Sequence, residues 1–162
     1  MKTLYLIRHA KSDWSNPFLN DFDRPLNKRG EKNAPFMGKY LASQNIYPDI
    51  IISSPAKRAK TTAKFIAKAI SFEDEIIYDE SIYEADHFDL INLIKVQEDK
   101  VNTIFLFGHN PSFNILASQL VDFRENIPTC GIVQINFDCK KWKNINSSNA
   151  QLIRFEYPKK YK

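Results

Sequence analysis

The sequence contains no apolar stretch that approaches the ~18 uninterrupted residues needed to cross a membrane. Its apolar N-terminal segment, residues 4–7, is followed directly by Arg8 and His9. A signal peptide needs a longer apolar region than this. We therefore expect neither a membrane span nor a membrane partner, and we expect a cytoplasmic location.

Cysteine is also scarce, since only Cys130 and Cys139 occur in the chain. Their spacing is not that of a zinc site, and two thiols are too few for a disulfide scaffold. Both are therefore predicted to be reduced and structural, and the cysteines indicate no metal.

Charge of one sign is not concentrated in any internal segment, although the net charge is +4. The lysines are scattered among acidic residues, and a basic run occurs only at residues 159–162. Aromatic residues make up 13% of the chain and lie mostly in apolar segments, as core residues do. A nucleic-acid partner is therefore not expected, whereas a weak positive field would favour an anionic substrate.

The apolar and charged residues, 43% and 26% of the chain, are those of an ordinary globular protein. A length of 162 residues is typical of one domain, so we predict a single domain over residues 1–162. Alternating segments with strand and helix patterns follow one another along the chain. Strands are predicted at residues 3–7, 49–53, 75–78, 103–107, 131–137 and 152–155.

Four helices are predicted between these strands. Their approximate ranges are 28–44, 55–70, 87–96 and 111–120. In the second helix Pro55 is expected at the first position, with Ser54 as the cap. In the third, Phe88, Ile91, Leu93 and Ile94 recur at helical spacing. The alternation predicts an α/β fold, a three-layer sandwich with a mostly parallel central sheet flanked by helices and a mixed edge.

Polar residues follow the three most apolar strands, at the point where each strand ends. Arg8 and His9 follow the first, Ser54 follows the second, and His109 follows the fourth strand in the chain. The carboxyl ends of parallel strands lie at one edge of a sheet, where ligands bind. We therefore expect these side chains to converge on one crevice. Residues 10–27, which follow His9, are predicted to form a long loop.

A single histidine at a strand end is more often structural than catalytic, but here two histidines accompany two arginines. Arg8 and Arg58 each present a fork of donors that suits phosphate oxygens, and Arg58 lies near a helix N-terminus. A neutral His9 can act as a nucleophile toward phosphorus. His109, when protonated, can stabilise the transferring group, and Glu84 is the best-placed carboxylic acid to protonate a leaving group.

Three segments, at residues 6–12, 53–63 and 107–111, resemble the first histidine, second arginine and second histidine motifs of the histidine phosphatase superfamily. The order and spacing agree along nearly the whole chain. Residues 21–30, 82–85 and 128–131 are most similar to its small SixA-like branch. Ala10 stands where the superfamily signature has glycine. Many relatives carry an asparagine a few positions later in this loop, where this chain has Ser15 followed by Asn16.

This resemblance implies a phosphoglycerate mutase-like fold and a phosphohistidine intermediate on His9. It also implies a phosphate pocket of Arg8, Arg58, His9 and His109, with no metal and no cofactor. The connection between the second and third helices is short and leaves little room for a lid, which favours a phosphorylated protein such as a histidine phosphotransfer domain. A phosphatase for a small phosphate ester and a non-catalytic phosphoresidue-binding module remain as alternatives, and a mutase is less favoured.

Overall fold

The computed structural model describes residues 1–161 as six strands and four α-helices, with short 3-10 helices between them. Strands β1 to β6 are Lys2–Arg8, Ile50–Ser53, Ile77–Tyr78, Thr103–Gly108, Ile132–Phe137 and Ala150–Glu156. Helices α1 to α4 are Lys28–Ser43, Lys57–Ala69, His87–Lys95 and Ser112–Val121. Within that range no helix has both the length and the apolar character that crossing a membrane requires. All the predicted elements are present, with ends shifted by a few residues.

The strands form one sheet in the order β3-β2-β4-β1-β5-β6. β1 pairs in parallel with β4, and β2 pairs in parallel with both β4 and β3. β5 is antiparallel to β1 and to β6, which makes one side of the sheet mixed. The predicted mostly parallel sheet with a mixed edge is therefore confirmed.

Helices cover both faces of this sheet, and alternate residues of β1 contact the two layers. Leu4 and Leu6 belong to the apolar cluster that includes Leu90 of α3 and Leu116 of α4. The next residues in register, such as Ile7, belong to the cluster with α1 and α2. Side chains of a strand point alternately to opposite faces, so a strand buried on both sides is apolar throughout. The predicted three-layer sandwich is confirmed.

The predicted start of the second helix is wrong. α2 begins at Lys57, and its cap residue, Ala56, makes no side-chain capping bond. The backbone N–H of Ser54 still donates to Phe107 of β4, at 3.0 Å. This bond keeps Ser54 paired with β4 at the carboxyl end of β2, so the chain needs two more residues before the helix can begin.

The apolar residues of the third helix are not all buried. Phe88 is 63% exposed, and its ring contacts that of His87 on the surface. Leu90 and Ile94 are the residues of α3 that are buried. α3 has only about two and a half turns, so a small rotation about its axis changes which of its apolar residues face the core.

Candidate active site

His9 follows β1 directly and is only 7% exposed. Its backbone is held on both sides, since its N–H donates to Gly108 and its carbonyl accepts from Cys130. Its Nδ1 lies 2.8 Å from the carbonyl oxygen of Ala10. A carbonyl can only accept a hydrogen bond, so Nδ1 carries the proton and Nε2 retains its lone pair.

Burial lowers the pKa of His9 to about 3, an effect that the positive charges of Arg58 and Arg8 increase. The backbone hydrogen bond to Ala10 opposes this shift but does not cancel it. The ring is therefore neutral at neutral pH. A neutral ring with a free Nε2 is the form that can attack phosphorus.

His109 lies beside His9, with the two ring centroids 5.3 Å apart. Its Nε2 is 2.8 Å from the hydroxyl oxygen of Ser54. Its Nδ1 is buried and has no hydrogen-bond partner among residues 1–161. Burial, followed by the charge of Arg58, lowers its pKa to about 4. At neutral pH this lowered pKa favours a neutral His109, whereas the role considered from the sequence was that of a protonated ring.

Arg8 also has an unused donor in the site. Its NH1 donates to the carbonyl of Ile127 at 3.0 Å, whereas its Nε is buried and finds no partner in the described part of the chain. Burial and the nearby charge of Arg58 lower the pKa of Arg8. Two cationic forks close together are unfavourable unless an anion lies between them.

Arg58 lies in the first turn of α2 and is almost completely buried. Its NH1 donates to the backbone oxygen of Asp21 at 2.7 Å, and its NH2 donates to the Asp21 carboxylate at 3.0 Å. The helix N-terminus adds partial positive charge at this position. The same guanidinium thus has further N–H groups available for a phosphate oxygen.

Asp21 and Tyr83 complete this wall of the site, and residue-by-residue analysis of the sequence gave neither a role. The hydroxyl of Tyr83 donates to the Asp21 carboxylate at 2.7 Å, and the Tyr83 ring lies 5.8 Å from the ring of His109. Burial opposes ionisation of Asp21, but the bond from Tyr83 and the charge of Arg58 outweigh it and lower its pKa. Both residues lie in segments that resemble the SixA-like branch, which was the only available signal.

A cavity of about 380 Å³ opens in front of these side chains. It is lined by Asp21, Arg58, Tyr83, Glu84, His109 and the segment that follows His109. Glu84 is exposed at this wall, and its φ of 61° places it in the left-handed region. Arg58, His109 and Glu84 of the predicted site line this cavity. Arg8 and His9 are not among the lining residues, but His9 lies beside His109, and the charges of Arg8 and Arg58 act on His9 and on each other.

The segment at residues 127–131 forms hydrogen bonds with residues of the site. The carbonyl of Ile127 accepts from Arg8 and from the side chain of Asn110. The backbone N–H of Cys130, which is a buried cysteine, donates to the carbonyl oxygen of His9 at 2.9 Å. These contacts join the segment to both histidine motifs, through Arg8 and His9 in the first and Asn110 in the second.

Ser12 and Asn16 of the long loop form hydrogen bonds within that loop. Ser12 is buried and its hydroxyl accepts from the indole N–H of Trp14 at 2.9 Å. The amide oxygen of Asn16 accepts from the N–H of Phe18 at 3.0 Å. Both hydrogen bonds lie within the loop, so neither joins these residues to the arginines or histidines of the site.

Comparison with known proteins places this geometry in a family. The model of the histidine phosphatase superfamily (branch 1) matches residues 4–102. An uncharacterized chloroplastic protein of Arabidopsis thaliana is 30% identical over 151 residues, covering 88% of this chain and 69% of that protein. Phosphoserine phosphatase 1 of Hydrogenobacter thermophilus is 39% identical over 90 residues, which cover 54% of this chain and 40% of that enzyme.

Solved structures agree with this placement. The structure assigned as the phosphohistidine phosphatase SixA of Agrobacterium tumefaciens has a TM-score of 0.80 and 29% identity, covering 97% of this chain and 98% of that one. A protein histidine phosphatase SixA complexed with tungstate has a TM-score of 0.84 and 16% identity, with 99% of both chains covered, and shows the fold alone. The sandwich is therefore the phosphoglycerate mutase-like fold, and the chain belongs to the histidine phosphatase superfamily.

Proposed function

We propose that this chain is a phosphatase that forms a covalent phosphohistidine on His9, and that its substrate is a phosphohistidine on a protein. The observation that carries the proposal is a pair of buried, unpartnered nitrogens, Arg8 Nε and His109 Nδ1, in the described site beside a nucleophilic His9. Buried polar atoms are normally satisfied, so both indicate a missing ligand. A phosphoryl group is an anion that would accept from both.

In the proposed reaction Nε2 of His9 attacks phosphorus while its Nδ1–H stays bound to Ala10. The bond from phosphorus to the leaving nitrogen of the substrate breaks, and that nitrogen keeps the electron pair and takes a proton. Arg8, Arg58 and His109 stabilise the charge on the phosphoryl oxygens. Water then attacks phosphorus, His9 Nε2 leaves with its lone pair, and inorganic phosphate is released. The guanidinium groups of Arg8 and Arg58 supply positive charge to the site, so we propose that no metal is required.

A protein substrate is supported by two features. The segment between α2 and α3 contains only β3 and a short 3-10 helix, so no inserted lid encloses the cavity. Phe18 and Trp14 of the long loop are exposed, and Phe22 of the same loop contacts Tyr83 at the cavity wall. The Agrobacterium tumefaciens relative, assigned as a phosphohistidine phosphatase, supports the same substrate class.

A small phosphate ester is the second candidate, and Glu84 is the observation in its favour. An ester oxygen is a poor leaving group and needs an acid, whereas the imidazole of phosphohistidine leaves easily. Glu84 lines the cavity at a position from which it could protonate such a group. The phosphoserine phosphatase relative, similar over part of its length, supports this alternative.

The experiment compares release of phosphate from a phosphorylated histidine phosphotransfer domain with release from a panel of small phosphate esters, in excess chelator. We expect turnover of the phosphoprotein, loss of roughly a thousandfold or more in His9→Ala, and a phosphoenzyme trapped by quenching at alkaline pH, where the P–N bond of phosphohistidine is stable. His87→Ala, which removes the third histidine outside the cavity, is the matched control and should keep full turnover.

Each result decides between the candidates. Turnover of esters alone, abolished by Glu84→Gln, would replace the protein substrate with a small metabolite. Phosphate release that needs an added metal would contradict the metal-free mechanism. Binding of the phosphoprotein without release would favour a phosphoresidue-binding module.

A further inference from the structure

Ser54 contacts the active site through its hydroxyl, a role that differs from its predicted one as a helix cap. Its side chain is completely buried at the end of β2. The hydroxyl oxygen accepts a hydrogen bond from the N–H of Ala56 at 3.2 Å and lies 2.8 Å from Nε2 of His109. The N–H of Ala56 can only donate, whereas Nε2 of His109 can either donate or accept.

The single proton of the Ser54 hydroxyl must be directed at an acceptor, because leaving a buried donor unpaired is energetically costly. The N–H of Ala56 is not an acceptor. Within residues 1–161, the only acceptor that forms a hydrogen bond with this hydroxyl is Nε2 of His109. The hydroxyl therefore donates to Nε2, which must be unprotonated, and a neutral His109 then carries its proton on Nδ1.

The opposite assignment is unfavourable at both ends of the ring. If Nε2 carried the proton and donated to Ser54, the hydroxyl proton would have no acceptor. Nδ1 would then present a lone pair, which repels the oxygens of a phosphoryl group. With the proton on Nδ1, by contrast, this buried atom, which has no partner within residues 1–161, becomes a donor that is available to an anion bound beside His9.

The assignment matters because His109 is neutral in the free site, where its pKa is lowered to about 4 by burial and by the charge of Arg58. An imidazolium donates from both nitrogens whatever its neighbours do, but a neutral ring donates from one only. A neutral His109 can therefore assist phosphoryl transfer only in one of its two tautomers.

We propose that Ser54 is a positioning residue that holds His109 in the Nδ1–H tautomer, so that His109 acts on the phosphoryl group as a neutral hydrogen-bond donor. The role in catalysis rests on the proposed function, whereas the tautomer itself does not. The two histidines of the site then share one tautomer and have opposite roles. Ala10 accepts from Nδ1 of His9 and leaves a nucleophile, while Ser54 donates to Nε2 of His109 and leaves a donor.

The direct test is a long-range ¹H–¹⁵N correlation spectrum of ¹⁵N-histidine-labelled protein at pH 7, with peaks assigned through His87→Gln and His109→Asn. In the wild-type protein we expect a protonated, pyrrole-type Nδ1 and an unprotonated Nε2 for His109. A protonated Nε2, alone or together with Nδ1, would overturn the proposal. This spectrum needs no variant at Ser54, so it decides the question even if a substitution there prevents folding.

Variants extend the test to the cause of the tautomer. Ser54→Ala should shift His109 toward the Nε2–H form, while Ser54→Thr, which keeps the hydroxyl, should restore the wild-type pattern. Ser53→Ala is the matched control, since Ser53 is also buried but its hydroxyl donates to the backbone of Ser54 rather than to His109. An unchanged His109 spectrum in Ser54→Ala would show that Ser54 does not hold the tautomer.

The kinetic readout separates this proposal from the proposed function. In Ser54→Ala we expect kcat on the phosphoprotein to fall on the order of 10- to 100-fold with little change in KM, less than the loss from deleting a transition-state donor outright. Absence of turnover in the wild-type protein would contradict the proposed function while the spectrum still reported the tautomer. Normal turnover with an Nε2–H His109 would retain the phosphatase and reject the role of Ser54.

Discussion

Asp21 occupies a position beside the anion site that is unusual for a carboxylate. It accepts from Arg58 and Tyr83, and the hydrogen bond from Tyr83 leaves the phenol protonated, with burial and that bond raising the pKa of Tyr83 to about 12. The carboxylate orients the Arg58 guanidinium, but it also competes with an incoming anion for the same charge. These opposing effects can be separated, because an amide keeps an acceptor oxygen and removes the charge.

Asp21→Asn should therefore bind anions more tightly. We expect the dissociation constant for tungstate or inorganic phosphate to fall roughly three- to tenfold, the effect of one charge at short range in an environment of intermediate dielectric. Isothermal titration calorimetry measures it. Tyr83→Phe is the matched control, since it removes one hydrogen bond and keeps the carboxylate charge. Weaker binding by Asp21→Asn would mean that orientation of Arg58 outweighs the repulsion.

At the scale of elements, α2 contributes two different things to the site. Its first turn positions Arg58, and one turn later Thr62 holds the catalytic loop. The Thr62 hydroxyl donates to the Arg58 carbonyl at 2.7 Å and accepts from the N–H of Ala10 at 2.9 Å. One helix thus fixes both Arg58 and Ala10, the residue that follows His9.

Thr62→Val should destabilise the protein, because valine has the same shape but leaves the buried N–H of Ala10 without an acceptor. We expect a loss of about 1–3 kcal/mol in the free energy of unfolding, measured by urea denaturation. Thr61→Val is the matched control, since the Thr61 hydroxyl bonds only within the helix, to the carbonyl of Lys57. Equal losses in the two variants would contradict the bond between α2 and the loop as the cause.

For the whole molecule, burial of two neutral histidines links stability to pH. The pKa values of His9 and His109 are lowered to about 3 and about 4, below the ordinary value of 6.5 that an unfolded chain shows. Between these limits the unfolded chain binds more protons than the folded one, so stability rises with pH. The stabilisation is complete above about pH 6.5 and is lost as the pH falls toward 4.

We therefore expect the free energy of unfolding to decrease on acidification, by up to about 1.4 kcal/mol per pH unit for each histidine. Denaturation by urea at several pH values between 4 and 7 measures the slope. His109→Asn should reduce the slope, and His87→Gln, outside the cavity, should leave it in place. A slope that is the same in His109→Asn and wild type would show that this histidine is not the cause.

The sequence by itself determined the fold class and predicted which residues would form the proposed phosphate pocket. Apolar strands such as β1 and β4 are recognisable because they are buried on both faces, and the residues that follow them must lie at one edge of a parallel sheet. The convergence of His9 and His109 follows from that local pattern and from the connectivity. Element ends were less predictable, because the start of α2 depends on a bond between Ser54 and β4 that no local pattern records.

Only the tertiary structure decided how the pocket is tuned. Asp21 reaches Arg58 across 37 positions, Tyr83 reaches Asp21 across 62, and Ser54 reaches His109 across 55. The depth of burial that keeps both histidines neutral is likewise a property of the packed molecule. Charge state, tautomer and hydrogen-bond partners depend on groups brought together from distant positions, whereas sequence patterns report mainly the environment of each segment along its own length.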